Sequence, residues 1–279
     1  TEEELLEGIA REPGQWVAQI KFDGERRGLK VENGQVIAAN KLGLEVPVRG
    51  EFSQAVEALA AAGLTDFTID CEDMGKYLVP FDVLSIDGKD LTNQSTNARL
   101  VQLDAFRNLC AKAHVDDTMR CAETWVIDDV KFAKDLIARH REKKAEGLVF
   151  KRFDAPYVAG KPNSGGDQVK LKFYNDITVR VSGHTMGKRS VSMELLHDGD
   201  WTEVGKVTIP ASEEIPAVGA LIDVEYLYAY KGGALFQTIF RGVRTDYLEA
   251  DCITDKLFYK PEGEYAPEPV TADEDQPGF

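Results

Sequence analysis

The chain has 279 residues, 43% of them hydrophobic, which is enough for two modest domains or one large one with a real core. Its longest apolar runs, such as Leu148 to Phe150, fall far short of the roughly 20 residues a membrane-spanning helix needs, and no charged-then-apolar signal segment opens it. A net charge of -15 sets a mean field against nucleic acid, so any phosphate-binding surface has to be local.

The first 175 residues alternate strand and helix signals. Trp16 to Lys21 and Gly34 to Ala39 read as strands, and Phe52, Ala55, Val56, Leu59 and Ala60 recur at helical spacing before Gly63, a helix stop. Thr65 to Cys71 and Tyr77 to Ile86 read as strands, the second ending at the Asp87-Gly88 turn. Helices are expected over Asn97 to Ala113, with Leu100, Leu103, Phe106 and Cys110 inward, and over Val130 to Ala145, capped by Asp128 or Asp129. Glu146 to Arg152 and Val169 to Phe173 close this half as strands.

After Asn175 the chain changes to short strands separated by turns: Ile177 to His184, Ser190 to Leu196, Glu203 to Ile209, Leu221 to Tyr230 and Leu235 to Arg241. Five short strands at this spacing fit a small OB-type barrel, with a short helix over Pro210 to Pro216, although a sandwich of the same size gives a similar pattern. The expected organisation is α+β: a first domain over residues 1–174 with antiparallel sheets and flanking helices, then an all-β barrel over 175–256. A tail over 257–279 follows, its last nineteen residues Pro-rich, with six acids and no Lys or Arg, and its composition predicts disorder.

From Arg139 to Lys172 the charge balance reverses, with nine basic residues against four acidic ones, so a local basic surface is available. The four cysteines are scattered, without a CxxC pair or a zinc-finger histidine, and read as buried free thiols of a protein in a reducing cytoplasm. The chain opens on Thr1 rather than Met, which leaves a trimmed leader open.

Lys21-Phe22-Asp23-Gly24-Glu25-Arg26 combines an amine at a strand exit with a turn-forming Asp-Gly and a cation. An amine held this way can attack the α-phosphate of a nucleotide and form a phosphoramidate, provided it is neutral when it reacts. Read structurally, the same residues make an ordinary charged surface hairpin. Lys170 and Lys172 alternate on one strand, which puts two amines on one face, an arrangement that calls for an anion between them.

In order along the chain stand Lys21-Phe22-Asp23-Gly24-Glu25-Arg26, Asp70-Cys71-Glu72, Phe81-Asp82-Val83-Leu84, Glu146-Gly147-Leu148-Val149-Phe150-Lys151, Val169-Lys170-Leu171-Lys172 and Phe240-Arg241-Gly242-Val243-Arg244-Thr245-Asp246. From Trp16 to Asp246 this series resembles the covalent nucleotidyltransferases, and most closely the ATP-dependent DNA ligases in a minimal two-domain form. The resemblance implies that Lys21 carries AMP drawn from ATP, within a motif that includes Asp23 and Gly24. It implies that Arg26 holds the ribose or phosphate, and that Gln19, at a position usually held by Glu, accepts from the adenine amine. Glu72 is implied near the ribose and the metal, with Cys71 where Gly is usual, and Phe81 stacks on adenine. Glu146 is implied as a second carboxylate for Mg²⁺ or Mn²⁺. Lys170 and Lys172 are implied on the triphosphate, with Gln168 where an aromatic is usual, and Lys151 as a DNA or phosphate contact. Arg244 and Asp246 match the last motif, which meets the leaving pyrophosphate, with Tyr247 where Lys commonly follows.

The implied partner is nicked duplex DNA, bound by a monomer that is not a membrane protein, with a hinge near Phe173 to Asp176 between open and closed forms. An RNA ligase shares the same chemistry and is the nearest alternative. An mRNA-capping guanylyltransferase would need guanine-reading contacts, and a non-catalytic OB binding module would be expected to lose Lys21 or the paired lysines.

Overall fold

A computed structural model describes residues 1–160 and 166–260; the acidic stretch after Lys260 lies outside the described residues. The chain divides into two compact units, the first ending at Leu171 and the second beginning at Lys172.

The first unit opens with helix α1 (Glu2–Arg11), closed at its start by a capping box between Thr1 and Glu4. Strand β1 (Trp16–Ile20) is buried along its whole length. It is followed by β2 (Glu25–Glu32), β3 (Gln35–Asn40), β4 (Glu45–Val46), α2 (Gly50–Ala61), β5 (Phe67–Asp73), β6 (Leu78–Ile86) and β7 (Lys89–Asp90). Then come α3 (Thr96–Lys112), β8 (Thr124–Ile127), α4 (Val130–Glu142), β9 (Gly147–Arg152) and β10 (Gln168–Lys172). These strands make two sheets, one ordered β4-β3-β2-β5-β6-β7 and the other β10-β9-β1-β8.

The core of the six-stranded sheet follows from helical periodicity. Phe52, Ala55, Val56 and Leu59 of α2 and Leu103, Phe106 and Cys110 of α3 are buried with Leu29, Val31, Phe67 and Ile69 of the strands. The Phe67 and Phe106 rings meet at 5.3 Å. Each fully buried side chain of this size contributes roughly 1.5–3 kcal/mol relative to exposure. All four cysteines are buried free thiols.

In the second unit β11 (Asn175–His184), β12 (Ser190–His197), β13 (Asp200–Thr208), β14 (Leu221–Tyr226) and β17 (Ile239–Arg244) form one antiparallel sheet, ordered β13-β12-β11-β14-β17. A small hairpin, β15 (Tyr228–Ala229) with β16 (Leu235–Phe236), lies between β14 and β17 in sequence. Inward residues alternate along the strands: Ile177, Val179 and Val181 pack with Val191, Met193, Leu195, Ile222 and Val224. Beside the far edge, Thr238 donates to the Lys206 carbonyl of β13 at 2.8 Å, which brings the segment before β17 onto β13. The five strands thus form one antiparallel sheet whose two outer members, β13 and β17, are brought together.

Several sequence expectations need correction. Strand β2 was not expected, because only Leu29 and Val31 are buried among its eight residues and the charges around them hide the period. Helix α1 and strand β8 were not expected either. Residues Pro210 to Pro216 form turns rather than a helix: Arg189 donates to the carbonyls of Ile209, Pro210 and Glu213, taking acceptors a helix would use. The expected strand Leu221 to Tyr230 breaks at Leu227. The expected strand Leu235 to Arg241 breaks at Gln237, whose φ is +56°.

Candidate active site

The strand β1 carries Gln19 and leads directly to Lys21, whose amide still pairs with the Gly147 carbonyl of β9 at 3.0 Å. That pairing holds the lysine at the end of a rigid, fully buried strand. Beside it the chain bends at Asp23-Gly24 and enters β2, which pairs with β5 so that Arg26 stands opposite Glu72 and Gly28 opposite Asp70. A cleft in the first unit is lined from the β1–β9 side by Gln19, Lys21, Val149, Lys151, Gln168 and Lys170, and from the β2–β5–β6 side by Arg26, Asp70, Glu72, Phe81 and Asp82. Ile20 and Phe22, beside Lys21, and Tyr157 and Val158, from the segment after β9, complete the lining.

Lys21 Nζ is 2.5 Å from Glu146 Oε2, and the Glu146 side chain is 5% exposed. Glu72 accepts a bond from the Gly24 amide at 3.2 Å. Burial pushes the Glu72 carboxyl up to about 7, against the opposing effects of Lys21 and the Gly24 bond, with Glu146 and Asp70 adding to the rise. Gly24 is required for its lack of a side chain: a Cβ there would lie 2.5 Å from the Asp73 carbonyl oxygen and 2.9 Å from Glu72 Cγ.

Gln19 is buried, and its amide nitrogen donates to the Phe81 carbonyl at 3.2 Å and to Thr124 Oγ1 at 2.9 Å. A carbonyl only accepts, so the nitrogen has to face Phe81, and the amide oxygen is turned away from that contact. Lys151, expected as a DNA or phosphate contact, lies in the cleft. It is buried at 6% exposure, donates to the Phe81 carbonyl at 3.3 Å, lies 3.6 Å from Asp82 and stands 5.2 Å from the Phe81 ring centre. Burial lowers its pKa, and an ammonium enclosed this way belongs to the cleft wall rather than to an open DNA-facing surface.

Arg26 binds both oxygens of Asp70, at 3.0 and 2.7 Å, and also the Tyr157 hydroxyl and the Gly160 carbonyl. Asp82 is held by Arg99 at 2.8 Å, with both side chains buried. Sequence reading assigned no role to Arg99, Asp82 or Tyr157. A signal for Arg99 did exist, since Thr96, Arg99, Leu103, Phe106 and Cys110 mark one inward helical face, on which an arginine needs a buried acid.

Of the paired lysines, Lys170 lines the cleft, while Lys172 donates to Gln237 Oε1 at 2.5 Å. Arg244 and Asp246 belong to the second unit and pair with each other at 2.7 and 3.0 Å, while Arg244 also donates to Asp223 at 2.8 Å. Tyr247 lies under Arg244, 5.2 Å from its guanidinium carbon, and its hydroxyl accepts from Lys256.

Among the described residues no cluster of three or more His, Cys, Asp or Glu forms a preset metal cage. The donor set fits Mg²⁺ all the same, because that ion is commonly bound by one or two carboxylates together with substrate phosphates, and Glu72 and Glu146 flank Lys21 through Gly24 and the ion pair. None of the described helices is long and apolar enough to cross a membrane.

Residues 73–172 match the family model of the ATP dependent DNA ligase domain. A probable DNA ligase of Streptomyces coelicolor is 30% identical over 134 residues, which are 45% of this chain and 25% of that protein. One of Streptomyces avermitilis is 27% identical over 207 residues, which are 70% of this chain and 36% of that protein. The chain thus matches well under half the length of these curated relatives. In fold it is similar to a solved Lig E DNA ligase described as binding DNA with a minimal scaffold, with a TM-score of 0.62, 18% identity, and coverage of 83% of this chain and 93% of that one. Residues 73–172 thus match the ATP dependent DNA ligase domain, and the curated relatives to which the chain is similar are probable DNA ligases.

Proposed function

We propose that this chain seals nicks in duplex DNA by way of AMP carried on Lys21. The observation that carries this reading is the placement of Lys21 Nζ in the cleft, 2.5 Å from the enclosed side chain of Glu146, with Gln19, Phe81 and Lys170 lining the same cleft. The Lys21 amine gives its proton to Glu146 or to solvent and attacks the α-phosphorus of ATP. The N–P bond forms as the bond to the β-phosphate oxygen breaks, and pyrophosphate leaves. The adenylate then passes to the 5′-phosphate of a nick, releasing the amine, and the 3′-hydroxyl displaces AMP to close the backbone.

The residues divide these tasks by chemistry. Gln19 presents its amide oxygen to the adenine amine, and Phe81 offers the ring that stacks on the base. Arg26 and Glu72 face the ribose and α-phosphate, while Lys170 faces the triphosphate and Lys172 would join it on exchanging its bond to Gln237 for a phosphate. Arg244 of the second unit serves the pyrophosphate in the first step, with Asp246 setting its orientation. Mg²⁺ or Mn²⁺, held by Glu72 and Glu146 with the phosphates, would neutralise charge during in-line attack.

Incubation with α-labelled ATP and Mg²⁺ followed by a denaturing gel tests the reading. Wild type should retain the label and Lys21→Ala should take up none, while the variant should still seal pre-adenylated nicked DNA in part. Label on the Lys21→Ala protein would refute the assignment. Parallel nicked DNA and nicked RNA substrates separate a DNA ligase from an RNA ligase.

A further inference from the structure

Two acidic side chains stand opposite each other in the floor of the cleft. Asp70 of β5 and Asp82 of β6 are register partners, so their carboxylates share one face of the sheet, and each residue is 3% exposed. Like charges directly opposed on neighbouring strands destabilise the pair, and buried charges have to be matched. Arg26 answers Asp70 and Arg99 answers Asp82. Tyr157 touches both ion pairs. Its ring lies 5.8 Å from the Arg99 guanidinium carbon, and its hydroxyl accepts from Arg26 Nη2 and donates to Asp70 Oδ2, each at 2.8 Å.

The donor count of Arg26 shows what this arrangement does. A guanidinium has five N–H groups, and four are taken here: two by Asp70, one by the Tyr157 hydroxyl and one by the Gly160 carbonyl. Among the described residues the fifth N–H has no partner. Arg26 therefore acts first as a clamp that ties residues 157–160 to β5. The backbone of Tyr157 is anchored separately, by its amide to the Thr92 carbonyl at 2.9 Å. Its hydroxyl is the right chemistry for this place, since a phenol can accept from the cation and donate to the anion at once.

We infer that Tyr157 is a positioning residue for the nucleotide: its hydroxyl completes the Arg26–Asp70 pair and fixes residues 157–160 as one wall of the ATP cleft. The inference rests on the ligase reading for the identity of the ligand and extends it to a residue that takes no part in the bond changes. Losing the hydroxyl leaves Lys21, Glu146 and Glu72 where they are, so binding should suffer more than chemistry.

The test uses the full chain, wild type and Tyr157→Phe, with two readouts. In self-labelling from ATP, Tyr157→Phe should raise KM about tenfold and leave the saturating rate within about twofold. In limited proteolysis, chymotrypsin cuts after Phe as well as Tyr, so cleavage between 157 and 158 reports the hold on the segment; it should quicken several-fold in the variant and slow when ATP is added. A Tyr157→Ala protein should show at least the same rise in KM. An unchanged KM in a variant that still takes label, or an equal loss in KM and saturating rate, overturns the positioning role alone. Failure of the wild-type chain to take label from ATP overturns the ligase reading and, with it, the nucleotide role of Tyr157.

Discussion

A methyl group at residue 24 would meet the Asp73 carbonyl oxygen at 2.5 Å, a backbone contact that only a backbone shift can relieve, and the Met74 sulfur at 2.8 Å. The Gly24 amide also donates to Glu72, so that shift would carry the carboxylate with it. Gly24→Ala is therefore expected to lower the rate of lysine labelling by at least tenfold while ATP binding falls less, measured by labelling kinetics beside equilibrium binding. Glu72 sets a pH dependence. Its carboxyl is raised from an ordinary 4.5 to about 7, chiefly by burial, so below about pH 7 the free protein holds it protonated. If the carboxylate is the working form, labelling should rise with pH up to about 7, with a lower midpoint when a cation is bound, and Glu72→Gln should abolish that inflection. The stability effect has the opposite sense: the folded state binds this proton more tightly than the unfolded one, so the contribution is present at low pH and lost as pH rises through about 7. Melting temperatures between pH 5 and 8 should accordingly shift in favour of the Gln variant as pH rises.

At the scale of elements, the Asp129 carboxylate accepts from the Phe132 amide at 2.7 Å and caps α4, a helix that buries Ala133, Leu136, Ile137 and His140. Asp129→Ala should cost about 1 kcal/mol, within a range of roughly 0.5–2, read as a lower denaturation midpoint without loss of labelling. This cap was legible in the sequence, as were α2, α3 and the strands β1, β5 and β6, because each shows an apolar period or run that one buried face requires. Strand β2 was not legible, since its burial is limited to two side chains and its place in the sheet comes from pairing with β3 and β5. The cleft was legible at Lys21, Glu72 and Phe81, which sit in short motifs at strand ends. Asp82, Arg99 and Tyr157 were missed because their meaning lies in a charge network that exists only after β6, α3 and the segment after β9 come together. A run such as Phe81-Asp82-Val83 gives no local sign that its acid is buried against an arginine 17 residues on.

At the scale of the whole molecule, the proposed nick sealing requires a chain with a net charge of -15 to bring a polyanion to its surface against its own field. Residues 261–279 hold six acidic side chains and no Lys or Arg, so removing them brings the charge to -9. The residues proposed to contact ATP all lie before Tyr247, so ending the chain at Lys260 should leave the rate of lysine labelling unchanged. DNA binding should tighten, because the field opposing approach falls while the cations of the cleft and of the second unit are kept. The gain should be largest at low ionic strength and fade as salt shortens the Debye length from about 30 Å at 0.01 M to about 8 Å at 0.15 M. A salt titration of nicked-DNA binding by the full chain and by the shortened one makes the comparison. Weaker binding by the shortened chain at low salt would show that the acidic stretch supplies a contact or supports the fold, and would remove simple repulsion as its effect.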